Sequence, residues 1–293
     1  MRIAYYPGCS LKAQAEGFDR SARAAMAALG VELVELERWN CCGTVSSLTT
    51  DDLMRQLAPV RNLIRVQEAG EDRVVTLCAM CYNTLKRAGL RVEDHPEELA
   101  KINAFLDEEQ DYHGGVRVLH LLELLRDELG LEAVAERVVR PLKGLKASPY
   151  YGCLLLRPRE VGLDDPENPS ILEGLIRALG AEPIDSPLKA QCCGSYHTAT
   201  HKEVVARRAY RILSEAGARG AEALISSCPL CSFNLDRRQE LVRELDGQKS
   251  FTPLPVLYFT ELMALAFGLE EAALLPEEHY VDPRPLLREG WKD

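Results

Sequence analysis

Short apolar runs separated by longer amphipathic stretches organise this chain. Arg2 to Tyr6, Val31 to Leu36, Arg73 to Leu77 and Val116 to His120 read as strands. Between the first two lies an Ala-rich stretch, Ala13 to Leu29, that reads as a helix stopped by Gly30. Asp51 to Ala69 reads as a helix ending at Gly70, with a kink expected at Pro59, and Ala79 to Ala88 begins another. A charged segment, Glu97 to Glu109, precedes the fourth strand, which runs into a helix over Leu121 to Leu129. The order then repeats. A strand near Ala147 to Tyr151 is followed by a helix over Pro169 to Leu179, a strand near Glu182 to Asp185 and a helix over His201 to Ala216. Next come a strand over Ala223 to Ser226, a helix from Pro229, a strand over Val256 to Phe259 and a helix over Glu261 to Phe267. This alternation predicts an α/β fold of two duplicated domains, residues 1–143 and 144–293, each a mostly parallel sheet flanked by helices. Ligands of such sheets bind beyond the carboxyl ends of the strands.

Composition narrows the classes of function. With 293 residues, 46% hydrophobic and 27% charged, the chain suits two globular domains. Lys and Arg total 35 against 45 Asp and Glu, a net charge of −10, which argues against a general nucleic-acid or anionic-membrane binder. Apolar stretches such as Leu119 to Leu125 and Leu262 to Leu269 fall short of the ~20 residues needed for a membrane span. Met1 to Cys9 carries a charge and a Pro-Gly turn where a signal peptide needs an apolar run, so a cytoplasmic location is expected. No G-x-G-x-x-G follows a strand, so neither NAD nor flavin binding is expected in this chain.

The ten cysteines carry the chemistry. Cys9, Cys41, Cys42, Cys78 and Cys81 form one set, and Cys153, Cys192, Cys193, Cys228 and Cys231 form a second. Both follow the same order of a single cysteine, an adjacent pair and a C-x2-C. Neighbouring residues repeat too, as in Cys41-Cys42-Gly43 against Cys192-Cys193-Gly194, and Asn83 and Asn234 follow the last cysteine of each set. All three cysteine elements of a set fall just after predicted strands, so a parallel sheet would gather them at one edge. A helix starting at each C-x2-C would favour thiolate over thiol, and Pro229 suits its first turn. In a reducing compartment these cysteines point to metal ligands or redox groups rather than disulfides. Structural zinc is typically closed by four ligands, as are ordinary iron-sulfur clusters, so five suggests an unusual cluster, or four ligands and one reactive thiol.

The paired CC-Gly elements, with a preceding single cysteine and a following C-x2-C, resemble the tandem cysteine-rich (CCG) domains of the B-type subunit of heterodisulfide reductase. The resemblance runs from Cys9 to Cys231 and includes all ten cysteines. It implies two non-cubane 4Fe-4S clusters, one held by each set, with a small-molecule disulfide reduced or formed between them. Zinc in one or both sites is the lesser alternative. The chain lacks the C-x2-C-x2-C-x3-C run of conventional ferredoxin clusters. A separate ferredoxin-like iron-sulfur subunit, of the kind that accompanies this family, and a flavoprotein behind it are therefore the expected partners. Relatives in an unusual succinate dehydrogenase and in lactate and glycolate oxidation leave a second possibility, a non-catalytic subunit passing electrons toward quinone.

Outside the cysteines the two halves differ. Arg157 and Arg159 follow Cys153, while Lys189, His201 and Lys202 flank Cys192-Cys193, and these five are the expected binding groups for an anionic thiol or disulfide. The alternative is that they are solvated loop charges. His197 is the candidate proton donor for thiol release, since histidine titrates near neutral pH. His120, matched by Tyr258 in the repeat, reads as a packing or helix-cap residue.

Overall fold

In the computed structural model, residues 1–44, 52–245, 250–269 and 276–284 are described. The first half contains β1 (Arg2–Tyr5), α1 (Gly8–Leu11), α2 (Glu16–Ala28), β2 (Glu32–Glu35), α3 (Met54–Glu68) and β3 (Arg73–Thr76). It continues with α4 (Ala79–Asp94), α5 (Pro96–Phe105), β4 (Arg117–His120), α6 (Leu121–Glu123), a wide π turn over Leu124–Leu129 and α7 (Leu131–Glu136). The second half contains β5 (Lys146–Tyr150), α8 (Ile171–Ala178), β6 (Glu182–Pro183), a 3-10 turn at Ser195–His197, α9 (Lys202–Ala218) and β7 (Ala223–Ser226). It ends with α10 (Pro229–Arg237), α11 (Gln239–Val242), β8 (Val256–Tyr258), α12 (Phe259–Ala266) and a 3-10 turn at Pro276–Glu278.

All strand pairs are parallel, in the orders β2-β1-β3-β4 and β6-β5-β7-β8. Helices cover both faces, so β7 is buried at every residue, which is why it reads Ala-Leu-Ile-Ser with no alternation of apolar and charged positions. In each sheet the chain reverses its direction of travel between the two central strands, β1 and β3 or β5 and β7. That switch point opens a crevice at their carboxyl ends.

The halves share one apolar core, in which Phe18, Met26 and Leu121 join Ile171, Leu175 and Phe259. The last helix of each half packs against the first long helix of the other: α12 on α2, and α7 on α8. At the first contact Phe18 stacks on Tyr258, with centroids 4.1 Å apart and planes within 4°, and Ser21 hydrogen-bonds Thr260 at 2.7 Å. At the second, Gly174 leaves room for Leu131, whose Cδ1 would lie 2.8 Å from an added Cβ.

Several expectations are corrected. The helix expected over Ala13 to Leu29 begins only at Glu16, because the N–H groups of Ala13, Gln14 and Ala15 all turn back to the Ser10 carbonyl and close the short α1 that precedes it. Glu97 to Glu109, expected only as a charged segment, contains α5, with Pro96 at its first position and Glu97 and Glu98 in its first turn. The helix through Pro59 begins at Met54, while Asp51 lies outside the described residues. His120 and Tyr258 do occupy matched caps: their N–H groups donate to Glu123 at 2.9 Å and Glu261 at 2.7 Å. Among the described residues no helix is long and apolar enough to cross a membrane.

Candidate metal centre

Each sheet delivers its cysteines to the crevice by the same devices. Cys9 follows β1 and Cys153 follows β5, in each case after a glycine with positive φ. Cys78 and Cys228 are the extended N-cap residues of α4 and α10, which puts Cys81 and Cys231 in the first helical turns, where unpaired N–H groups favour negative sulfur. The adjacent pairs are held by buried tyrosines. Tyr6 donates to the Asn40 carbonyl at 2.8 Å and Tyr150 to the Gln191 carbonyl at 2.6 Å, each just ahead of a cysteine pair. Asn62 reinforces the first, accepting from the Asn40 N–H at 3.0 Å.

The thiols form a chain of contacts. Cys9 and Cys41 lie 3.9 Å apart, sulfur to sulfur, and Cys193 and Cys231 lie 3.4 Å apart. Side-chain interactions link Cys41 to Cys42, Cys42 to Cys81 and Cys81 to Cys78, and in the other half Cys153 to Cys192, Cys192 to Cys193 and Cys231 to Cys228. Cys78 and Cys228 also interact, so the two sets meet. Negative charge settles unevenly along this chain. Hydrogen bonds from Cys41 and Cys81 pull Cys42 down to about 4. Those from Cys153 and Cys193 pull Cys192 down to about 2, helped by the Gly194 N–H at 3.3 Å. Cys228 is lowered by Cys231 and Cys78, whereas Cys81, Cys153 and Cys231 are driven up by the neighbours they donate to. Cys9 and Cys41 are exposed, Cys153 and Cys192 are half-buried, and Cys78 and Cys228 lie deep.

The donor set is all sulfur, which suits thiophilic metals and iron-sulfur clusters. A Cβ at Gly8 would stand 2.9 Å from Cys81 Sγ, and one at Gly152 3.3 Å from Cys231 Sγ, so glycine keeps both strand exits open to sulfur. Residues of both halves line a small cavity at the second set, Met80 among Cys153, Cys193, Cys228 and Cys231. Among the described residues no three His, Cys, Asp or Glu side chains close around a single metal ion. These features fit a multi-atom sulfur-ligated group held by Cys9, Cys41, Cys42, Cys78 and Cys81 on one side and by Cys153, Cys192, Cys193, Cys228 and Cys231 on the other.

The expected anion-binding groups are otherwise engaged. Lys189 is buried, with its ammonium 2.5 Å from Glu173 and 2.8 Å from Asp185, so it is a structural ion pair and not a free cation. Arg157 turns back on its own loop, donating to the Pro166 carbonyl at 2.8 Å and pairing with Glu167 at 2.7 Å. Arg159 and Lys202 are exposed, and His197 and His201 are exposed and stand edge to face with ring centroids 5.5 Å apart. Among the described residues none of these six side chains hydrogen-bonds a cysteine.

Residues outside that expected set interact with the thiols instead. Tyr196, next to His197, hydrogen-bonds Thr44 of the first half and feels the charges of Cys153, Cys192 and Arg87. Thr84 hydrogen-bonds Cys42. The matched asparagines diverge: Asn83 donates to the Leu154 and Arg157 carbonyls at 2.8 Å, reaching the opposite half, while Asn234 donates to Cys193 at 3.5 Å within its own. The signal available was the asymmetry after the CCG elements, Ser195-Tyr196-His197 in one half and Thr44-Val45-Ser46 in the other.

The chain is similar to known proteins in sequence and in fold. The description "cysteine-rich domain" (CCG) matches twice, at residues 3–86 and 148–236. The chain is 30% identical to the 8-methylmenaquinol:fumarate reductase membrane anchor subunit of Wolinella succinogenes, over 97% of this chain and 98% of that one. It is 29% identical to the B-type subunit of the ferredoxin/F(420)H(2)-dependent CoB-CoM heterodisulfide reductase of Methanosarcina acetivorans, over 96% and 94%. Identity to a protein of Archaeoglobus profundus that is itself described as like that B-type subunit is 30%, over 92% of each. Among solved structures, a hypothetical protein from Helicobacter pylori shares the fold with a TM-score of 0.74 at 12% identity, over 95% of this chain. The chain spans about half of that protein, 51%.

Proposed function

Because the chain belongs to the cysteine-rich CCG domain family in both its halves, we propose that it is an iron-sulfur redox subunit that reduces or forms a small-molecule disulfide where its two thiol sets meet. The observation that carries this reading is the contact of Cys78 with Cys228, which sets one pentad directly against the other. Bound iron-sulfur clusters would supply single electrons there, and two adjacent centres match the two that a disulfide takes up. The overall reaction consumes two electrons and two protons per disulfide and yields two thiols. A ferredoxin-like iron-sulfur partner would deliver the electrons, with a flavoprotein behind it.

The chain's own residues would do the rest. The N-termini of α4 and α10 stabilise sulfur charge, Tyr6 and Tyr150 fix the cysteine pairs, and the deep position of Cys78 and Cys228 keeps water from the join. Tyr196, half-exposed and within electrostatic reach of Cys153 and Cys192, would pass a proton between solvent and a departing thiolate in place of His197.

The full-length similarity to a fumarate reductase membrane anchor subunit favours a second reading, a cluster-bearing subunit that links a reductase to quinol without turning over a disulfide. One preparation, purified without oxygen, separates the two. About eight irons and eight sulfides per chain, with disulfide turnover from a reduced ferredoxin-like donor, supports the first. The same iron content with quinol oxidation and no disulfide turnover supports the second. Zinc in place of iron would overturn both.

A further inference from the structure

A groove of about 500 Å³ lies along α4, within the size range of small-molecule sites, with Arg55, Thr84, Arg87, Arg91, Asp94 and Glu160 among its walls. Its inner end is part of the thiol field, because the Thr84 hydroxyl hydrogen-bonds Cys42. Arg87 stands one turn further along the same helix face and is an electrostatic neighbour of Tyr196, which also feels the charges of Cys153 and Cys192. Glu160 and Val161 belong to the loop that follows Cys153, so both halves contribute to the groove.

The cations in this groove are not equivalent. Arg55 pairs with Asp52 at 3.1 Å and Arg91 with Glu98 at 2.7 Å. Arg87 is exposed and, among the described residues, has no carboxylate at ion-pair distance. Further out the wall turns acidic, with Asp94 and Glu160.

We infer that this groove binds a small thiol or disulfide bearing an anionic group, with Arg87 as its anchor and the sulfur end directed at Thr84. The inference rests on the proposed disulfide function and names its substrate class. Thr84 and Arg87 are separated by three residues of helical rise, ~4.5 Å, so sulfur and anion are only a few bonds apart in the ligand. A guanidinium suits carboxylate, sulfonate or phosphate alike through its planar pair of donors. The acidic outer wall disfavours a second negative group at the far end of the same arm.

The test is calorimetric titration of the full chain, purified without oxygen and kept oxidised, with three disulfides of similar size: dianionic 3,3′-dithiodipropionate, neutral 2-hydroxyethyl disulfide and dicationic cystamine. The dianion is expected to bind at least about tenfold more tightly than the neutral compound, and cystamine most weakly. Arg87→Gln should erase the preference, Arg87→Lys should keep part of it, and Arg157→Gln should keep all of it. Melting curves and visible spectra matching the wild type establish that each variant is folded. A wild type without preference, or an Arg87→Gln variant that retains it, overturns the inference. Turnover of the neutral disulfide by the wild type is scored separately. Preference without turnover sinks the proposed function and leaves the groove standing, while turnover without preference does the reverse.

Discussion

Tyr150 donates its hydroxyl hydrogen to the Gln191 carbonyl at 2.6 Å, and Tyr6 makes the same bond to Asn40 at 2.8 Å. Both tyrosines are almost wholly buried, so each bond ties the end of a central strand to the residue ahead of a cysteine pair. Removing the hydroxyl strands a carbonyl, at a cost of about 1–2 kcal/mol, and frees the pair to drift. Tyr150→Phe is expected to lower the thermal midpoint and the iron retained by the second set, and Tyr6→Phe to do so for the first. Wild-type iron content in both variants would show that something else positions these pairs.

Gly8 and Gly30 separate crowding from backbone strain. Both have positive φ, +72° and +75°, but an added Cβ at Gly8 meets Cys81 Sγ at 2.9 Å, while at Gly30 it meets nothing within 4 Å. Either alanine variant should lose about 1 kcal/mol to left-handed strain. Only Gly8→Ala should also lose iron and sulfide, because Cys81 must move. Equal losses in the two would refute a role for Gly8 in keeping space for a sulfur-ligated group.

The segment 276–284 fastens the two halves together through buried charge. The Gly17 N–H donates to Glu278 at 2.7 Å, and the Tyr280 and Val281 N–H groups donate to Asp236 at 2.8 and 3.0 Å. Burial works against the His279 imidazolium, but its bond to Glu261 at 3.1 Å and the nearby Asp236 prevail and hold it up at about 9. Asp236 is itself pushed up by burial, to about 6. Since both groups bind protons more tightly folded than unfolded, each stabilises most at low pH. The His279 contribution, on the order of 3 kcal/mol, is complete below about pH 6.5 and fades as pH rises through 9. Melts from pH 6 to 10 should show this decline in the wild type and a flatter profile in His279→Gln. A parallel decline in the variant would assign it elsewhere.

Ser21 and Thr260 share a buried hydrogen bond between the halves. Thr260→Val or Ser21→Ala alone leaves a hydroxyl without this partner and should cost ~1–2 kcal/mol, whereas the double variant should cost less than the sum. Denaturant titrations of the four chains measure the coupling. Strict additivity would mean that the bond contributes nothing to the seam.

Strands and cysteine crevices were legible because they depend on local pattern. Ala223 to Ser226 has its predicted bounds, and every cysteine element follows the strand expected for it. What faces what was not legible. Lys189 and Arg157 lie near cysteines in sequence, yet Glu173 and Glu167 claim their charges. Thr84 and Arg87 lie in the helix expected from Ala79 and carry no signal of their own, and only the packing of α4 beside the loop from the other half gives them a groove. The α5 helix was hidden by its charge, although Pro96, Glu97 and Glu98 form a start signal.

The matched sheets β2-β1-β3-β4 and β6-β5-β7-β8, joined through one core, also speak to ancestry. A single-repeat forebear whose copies paired as these halves do would have been a two-fold dimer. In such a dimer the junction on the axis, now Cys78 against Cys228, would have been flanked by identical surroundings. Fusion into one polypeptide let the two sides diverge: Tyr196 stands where the other copy has Val45, and Asn83 crosses the axis while Asn234 does not. A junction with unlike flanks can tell left from right, which is what an unsymmetrical disulfide with two different ends would require of it.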